Sequence, residues 1–220
     1  MIEDDRMNGS RQTEDLIRDF AREAGLRKRN ALPFDRALSL GIAASLLSAL
    51  AIVIGVFGVR PDLAAAASTG MFHFKIAATI MLALGGLCLV RFTARPGSSW
   101  LGVLALMPGL LLLLAGVAFD RSGFPILGGR AISVPSCVGA IVLASLPALL
   151  LLLAALKRGI PTRLALSGAS VGMLAGSLGA VAYTLACVND GALFVAVWYG
   201  LAILIMTAIG AAAGERVLAW

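Results

Sequence analysis

The sequence predicts an all-α, polytopic membrane protein: a six-helix transmembrane bundle with a short cytoplasmic N-terminal amphipathic helix. Composition is the first reason. Of the 220 residues, 60% are hydrophobic and only 14% are charged, and the mean hydropathy is +0.94. A soluble domain is about 45–50% apolar and about 25% charged, so this chain has too little polar surface for a soluble globular enzyme. The second reason is that six apolar runs each approach the length of about 20 residues that crosses a bilayer.

The first 36 residues are predicted to be a cytoplasmic segment that carries one helix. Thr13 is a suitable N-cap, and Gly25 is expected to end the helix, before the basic run Arg27-Lys28-Arg29. The apolar residues recur at helical spacing and form one stripe: Leu16, Ile17, Phe20, Ala21 and Ala24. Because so short a helix is marginal alone in water, the stripe must contact the membrane surface, the loops of the bundle or a groove on a soluble partner.

Six apolar runs follow, and each is predicted to be one membrane-spanning helix. Their bounds are Ala37–Phe57, Phe72–Phe92, Leu101–Phe119, Ser136–Leu156, Leu164–Leu185 and Phe194–Gly214. Lys75 is a charged residue within a run, near its end, and we expect its long side chain to extend to the membrane interface. The predicted domains are therefore 1–36 (cytoplasmic sequence), 37–214 (six-helix transmembrane domain) and 215–220 (cytoplasmic C-terminal end).

The distribution of basic residues predicts the orientation. Of the 18 lysines and arginines, 14 lie in the N-terminal segment, the second and fourth loops and the C-terminal end, whereas Arg60, Arg121 and Arg130 lie in the other loops. Because basic residues mark the cytoplasmic side of a membrane protein, both termini are predicted to be cytoplasmic. The leading segment is too long for a signal peptide, so the first span is expected to be retained. A multi-pass protein of a bacterial inner membrane is the simplest interpretation.

Small residues and prolines mark positions within the bundle. Gly168, Gly172 and Gly176 recur at spacing four on the fifth span and lie on one helix face. Small residues let helices approach closely in a membrane, so this face is predicted to pack against another helix of the chain, with a homodimer as the alternative. Pro108 in the third span and Pro147 in the fourth are expected to kink their helices.

Few residues are candidates for chemistry. Cys137 and Cys187 are predicted at the outer ends of the fourth and fifth spans, facing the same membrane surface. They can pair, bind a thiophilic agent, or remain two unpaired, half-buried thiols. Tyr183 and Tyr199 are expected in the outer aromatic belt. The chain has a single histidine, His73, and it lacks P-loop, CxxC and HExxH motifs. The sequence therefore predicts no enzymatic activity, no cofactor and no metal site.

Several motifs occur in order along nearly the whole chain. They are Asp15-Leu16-Ile17, Val59-Arg60-Pro61-Asp62-Leu63, Phe72-x-x-Lys75, Cys137 with Pro147, Pro161-Thr162-Arg163, the three glycines above, Tyr183-x-x-x-Cys187, and Phe194-x-Ala196-x-Trp198-Tyr199. In order and spacing they resemble the negative regulator of sigma F (NrsF) family, whose members are six-span bacterial membrane proteins that act as anti-sigma factors.

The resemblance implies that the N-terminal segment binds an extracytoplasmic-function sigma factor and keeps it away from RNA polymerase, without direct contact to nucleic acid. We assign the sigma-binding surface to Leu16, Ile17 and Phe20. Cys137 and Cys187 are interpreted as the sensing pair for an envelope, redox or metal stimulus, which makes the protein part of a stress response. A small-solute transporter or channel subunit is the alternative, although the sequence shows no intramembrane polar site for it.

Overall fold

The computed structural model describes residues 14–21, 33–94, 100–120, 123–129, 133–159 and 161–219. All regular secondary structure within these ranges is helical. The chain divides into two units, Met1–Pro33 and Phe34–Trp220. The second unit holds the apolar helices, and the first precedes them.

In the first unit, residues 14–21 form one helix, α1. Leu16, Ile17 and Phe20 are 57%, 61% and 63% exposed on it. Glu14 and Arg18 form an exposed i,i+4 ion pair with an N–O distance of 3.9 Å. The predicted N-cap Thr13, the helix end at Gly25, Ala24 and the basic run 27–29 lie outside the described residues.

The second unit contains the remaining helices. Among the described residues these are α2 (Phe34–Ile52), α3 (Leu63–Ala66), α4 (Gly70–Thr93), α5 (Met107–Ala118), α6 (Ser133–Leu156), α7 (Leu164–Tyr183), α8 (Ala192–Phe194) and α9 (Gly200–Val217). A 3₁₀ helix, Trp100–Leu106, precedes α5. Two π-helical segments also occur: Val53–Phe57 continues α2, and Val195–Tyr199 joins α8 to α9.

In the part of the chain that the structure describes, five helical stretches are long and apolar enough to cross a membrane. They are Phe34–Phe57, Gly70–Thr93, Ser133–Leu156, Leu164–Tyr183 and Ala192–Val217. The third predicted span, Leu101–Phe119, differs from expectation because its α-helix begins only at Met107, with Pro108 in the first turn. Proline has no N–H to bond to the preceding turn, and it favours the first position of a helix. One continuous helix kinked at Pro108 was therefore the wrong expectation, whereas Pro147 does lie inside the continuous helix α6.

Helix α7 is the centre of the bundle and contacts α4, α6 and, most extensively, α9. Gly168, Gly172 and Gly176 lie on the face of α7 that meets α9. A Cβ atom on Gly168 would lie 2.7 Å from the Cα atom of Gly214, and one on Gly172 would lie 3.0 Å from the Cα atom of Gly210. Backbone meets backbone at this interface, and another helix of the same chain occupies the glycine face.

Hydroxyl groups add polar contacts between the apolar helices. The hydroxyl oxygens of Thr93 on α4 and Ser170 on α7 are 3.0 Å apart, and Ser167 Oγ donates to the Thr93 carbonyl oxygen at 3.3 Å. Ser45 Oγ on α2 donates to the Ala148 carbonyl oxygen on α6 at 3.5 Å. Such bonds between membrane helices contribute about 0.6 kcal/mol each, so they supplement the close packing.

Candidate functional site

Segments that are distant in sequence meet at the end of the second unit where α4 and α6 begin and α7 ends. Gly58, with φ of 75°, turns the chain after the π-helical end of α2. The backbone N–H of Arg60 then donates to the Leu185 carbonyl oxygen at 3.0 Å. Thr69 caps α4 by accepting from the Phe72 N–H at 3.4 Å. These local bonds position the side chains that follow.

Four charged side chains meet here, and we call them the ionic cluster: Arg60, Asp62, Lys75 and Asp190. Lys75 Nζ lies 2.9 Å from Asp190 Oδ1, and Arg60 Nη1 lies 2.8 Å from Asp190 Oδ2. Arg60 also binds Asp62 through two parallel bonds, Nε to Oδ1 and Nη2 to Oδ2, both 2.8 Å long. The side chains of Arg60 and Lys75 are 3% and 0% exposed. Two cations and two carboxylates therefore balance within the cluster.

The ionic cluster also fixes the backbone between α7 and α8. Lys75 Nζ donates to the carbonyl oxygens of Cys187 at 2.9 Å and Asn189 at 3.0 Å. Arg60 Nη1 donates to the Cys187 carbonyl oxygen at 3.1 Å. The three bonds of Lys75 use all three donors of its ammonium group, which gives this buried charge the full set of partners that burial requires.

Lys75 corrects one sequence-based expectation, because its side chain does not extend to the interface but is completely buried. A buried ammonium is tolerated when a carboxylate and further acceptors surround it, and Asp190 supplies that carboxylate. Sequence reasoning missed this cluster because the two residues are 115 positions apart. The sequence contains one indication of the ion pair: the acidic residue Asp190 lies in a loop that is predicted at the same membrane surface as Lys75.

The pairing of Arg60 with Asp62 shifts the ionisation of both groups. The hydrogen bond from Arg60 holds the pKa of the Asp62 carboxyl at about 2, below its ordinary value of 3.8. The same bond, together with the charge of Asp190, raises the pKa of Arg60. The Arg60–Asp62 pair is therefore ionised throughout the physiological pH range.

The two predicted sensing cysteines are neighbours beside the ionic cluster. Cys137 and Cys187 belong to one buried core cluster, and they are 0% and 3% exposed as free thiols. Polar interaction with the Cys137 thiol, and then the positive charge of Lys75, lower the pKa of the Cys187 thiol below its ordinary value. The structure thus brings these two thiols together and makes them unequal.

Two tyrosines border the thiols. Tyr183 and Tyr199 are 6% and 1% exposed, so the expectation that they face the membrane interface was wrong; their rings pack in the core with centroids 6.2 Å apart. The Lys75 ammonium lies 5.6 Å from the centroid of the Tyr199 ring. Tyr199 belongs to the same buried core cluster as Cys187, yet among the described residues its hydroxyl has no hydrogen-bond partner.

A cavity of about 340 Å³ opens next to the thiols. Its walls include Arg60, Ser136, Tyr183, Cys187 and Asn189, but not Cys137. A small solute that enters the cavity therefore meets Cys187 before Cys137.

The remaining predicted residues lie elsewhere. Leu16, Ile17 and Phe20 lie on α1, in the other unit. His73 is exposed, and its Nδ1 donates to the Thr69 carbonyl oxygen at 2.8 Å. Within the described ranges, no group of three or more His, Cys, Asp or Glu side chains is arranged to hold a metal ion.

Comparisons with known proteins agree with the motif resemblance. A family model described as "Negative regulator of sigma F" (NrsF) matches residues 23–220. The "Probable anti-sigma-F factor NrsF" of Azospira oryzae is 32% identical over 218 residues, which cover 95% of this chain and 100% of the relative. The "Anti-sigma-F factor NrsF" of Caulobacter vibrioides is 34% identical over 219 residues, again 95% of this chain and 100% of the relative. No solved structure matches the chain.

Proposed function

The chain belongs to the negative regulator of sigma F family, and we propose that it is a membrane-bound anti-sigma factor for an extracytoplasmic-function sigma factor. Its N-terminal segment binds the sigma factor and holds it at the bacterial inner membrane, away from RNA polymerase. An envelope stimulus then releases the sigma factor and starts a stress response. Apart from the family, the exposed apolar stripe of α1 carries this proposal, because such a stripe on a polar segment requires a partner.

The proposed topology has six crossings with both termini in the cytoplasm. Five long apolar helices support five of them. The 3₁₀ helix Trp100–Leu106 and α5 together extend for about 30 Å at the usual helical rises, which is the thickness of a bilayer core. This composite segment supplies the sixth crossing. The excess of basic residues in the terminal segments and even-numbered loops supports the orientation.

Leu16, Ile17 and Phe20 are the proposed sigma-binding surface. Each is more than half exposed, and they lie together on one side of α1. The family model begins at residue 23, after this helix. The assignment therefore rests on the exposed apolar side chains, which match the anchors of a helix that inserts into a groove of its partner.

Cys137 and Cys187 are the proposed sensing pair on the periplasmic side. Oxidation of the thiols, or binding of a soft metal ion to them, changes the contact between the start of α6 and the loop after α7. Because α7 meets α9 backbone to backbone at its glycines, a shift of α7 has no flexible side chains to absorb it. The displacement then reaches the cytoplasmic end of α7 and leads to release of the sigma factor from the N-terminal segment.

The ionic cluster does not favour the alternative of a transporter. Its two cations and two carboxylates pair with one another, and Lys75 also donates hydrogen bonds to two backbone carbonyl oxygens. A transport site needs groups that are free to bind a solute, whereas these charges hold a loop in place.

A sigma-dependent reporter tests the sensing role. The double variant Cys137→Ser/Cys187→Ser is expected to repress normally and to lose induction by thiophilic metals and oxidants. Cys88→Ser is the matched control, because Cys88 is an exposed thiol on α4, and it is expected to respond like the parent. Full induction of the double variant would show that the stimulus enters elsewhere.

A further inference from the structure

The two thiols of the proposed sensing pair differ in access. Cys187 lines the cavity of about 340 Å³, whereas Cys137 is fully buried and contributes nothing to its wall. A reagent small enough to enter the cavity therefore reaches Cys187 first.

The surroundings of Cys187 favour its thiolate. The titratable and charged groups around it are Lys75 on α4, Cys137 on α6, Tyr183 on α7, Tyr199 on the π-helical segment, and Arg60 and Asp190 in the loops. Lys75 Nζ is held 2.9 Å from the carbonyl oxygen of Cys187 itself. A positive charge so fixed stabilises an anion on the same residue.

Tyr199 supplies a second argument. Tyr199 belongs to the same buried core cluster as Cys187, and its fully buried hydroxyl makes no hydrogen bond among the described residues. A buried hydroxyl without a partner is unfavourable. Ionisation of Cys187 removes that defect, because a thiolate accepts the hydrogen bond that Tyr199 is free to donate. The unpaired Tyr199 hydroxyl is therefore available to donate a hydrogen bond to the Cys187 thiolate.

We propose that Cys187 is the attacking thiol of the pair and Cys137 the resolving thiol, with Lys75 and Tyr199 as positioning residues that stabilise the Cys187 thiolate for attack on a hydroperoxide. This inference rests on the proposed sensing function and assigns its first chemical step. It also requires no metal ion.

The reaction balances in two steps. The Cys187 thiolate attacks one oxygen of the peroxide, the O–O bond breaks, and the leaving oxygen takes up a proton, which yields a sulfenic acid on Cys187 and water or an alcohol. The Cys137 sulfur then attacks the Cys187 sulfur, an S–S bond forms, and the sulfenic oxygen leaves as water with the proton of Cys137. Overall the peroxide gains two electrons, and the two thiols lose them.

Purified full-length protein in detergent, treated with hydrogen peroxide, tests the order of the thiols. In Cys137→Ser, the sulfenic acid on Cys187 has no partner, and a dimedone adduct is expected on Cys187 by mass spectrometry. In Cys187→Ser, Cys137 is expected to remain unmodified at the same peroxide concentration. A dimedone adduct on Cys137 in Cys187→Ser, at the rate seen for Cys187, would overturn the assignment.

Tyr199→Phe tests the positioning role, and it removes only the unpaired hydroxyl, so the fold is expected to persist. Loss of a hydrogen bond to a charged group is expected to raise the pKa of Cys187 by about one unit, and oxidation is expected to slow by up to about tenfold at pH values below the parent pKa. The rate is expected to recover as pH rises above the new pKa. Tyr183→Phe, the neighbouring matched control, is expected to keep the parent rate at all pH values. A parental rate and pH profile for Tyr199→Phe would overturn the role of Tyr199.

Two different experiments test the sensing function and the order of the thiols. Induction of the sigma-dependent reporter in Cys137→Ser/Cys187→Ser refutes the sensing role, whereas the rates and adducts on the purified protein decide which thiol attacks.

Discussion

The Lys75 ammonium nitrogen lies 2.9 Å from Asp190 Oδ1, although the two residues are 115 positions apart in the chain. This ion pair joins the start of α4 to the loop before α8. Both groups are removed from water, so their attraction must offset a large desolvation cost, and the further bonds from Arg60 to Asp190 and from Lys75 to two carbonyl oxygens make that possible. The pair therefore fixes the loop that carries Cys187.

Asp190→Asn is expected to destabilise the protein. The substitution keeps the shape of the side chain but leaves the buried Lys75 ammonium without a carboxylate and Arg60 paired with Asp62 alone, which costs about 3–5 kcal/mol. Asp62→Asn is the control, because the Asp62 side chain is 52% exposed, and an ion pair that water screens contributes much less to stability than a buried one. Thermal unfolding of the purified proteins compares them. Equal melting temperatures for Asp190→Asn and the parent would show that the cluster does not stabilise the fold.

Gly168→Ala is expected to weaken the α7–α9 interface. The new Cβ would meet the backbone of Gly210 and Gly214, which cannot move aside as a side chain can, and overpacking of this kind costs at least about 1–3 kcal/mol. Gly139→Ala on α6 is the matched control, because nothing lies within 4 Å of its added Cβ. Alanine is the better helix former by about 1 kcal/mol, so the control is expected to be neutral or stabilising. Equal melting temperatures for the two variants would contradict the close-packed interface.

The Arg60–Asp62 pair is expected to give a defined pH dependence. The pKa of Asp62 is about 2 in the folded protein and 3.8 ordinarily, so its ionisation stabilises the fold above about pH 4, and this contribution is lost as pH falls through about 2. The difference in melting temperature between the parent and Asp62→Asn should be constant from pH 7 to about pH 5 and should shrink below that range. A difference that already vanishes between pH 6 and pH 5 would exclude the lowered pKa.

The sequence predicted those features that depend on local composition. Apolar runs located five long helices to within a few residues, since a membrane helix satisfies its own backbone bonds and is recognised by length and hydropathy alone. The prediction of one continuous helix for the third run was wrong, because the α-helix begins at Met107 and Pro108 lies in its first turn, a position that proline favours. The glycine spacing revealed a packing face, but not that Gly210 and Gly214 of α9 fill it.

The candidate site was predictable only in part. The positions of Cys137 and Cys187 at the ends of two successive spans indicated that they lie at one surface. The ionic cluster depends on contacts of Asp190 with Arg60 and Lys75, which lie more than 100 positions away in the sequence. A hydropathy analysis scores each charged residue on its own, so it does not reveal such pairs. Tyr199 fitted the aromatic belt by position, yet the π-helical segment and the close packing around Lys75 place it in the core.

Binding of the sigma factor by the full-length protein tests the central claim most directly. The sigma factor is co-purified with the parent, with Leu16→Ala/Phe20→Ala, and with the matched double variant Glu14→Ala/Arg18→Ala on the charged side of α1. Burial of each apolar side chain contributes about 1.5–3 kcal/mol, so loss of two should weaken binding by about a hundredfold or more. We expect the parent and the charged-side variant to retain the sigma factor and repress its reporter, and the apolar-side variant to insert normally but to lose both. Undiminished binding and repression by Leu16→Ala/Phe20→Ala would contradict the account.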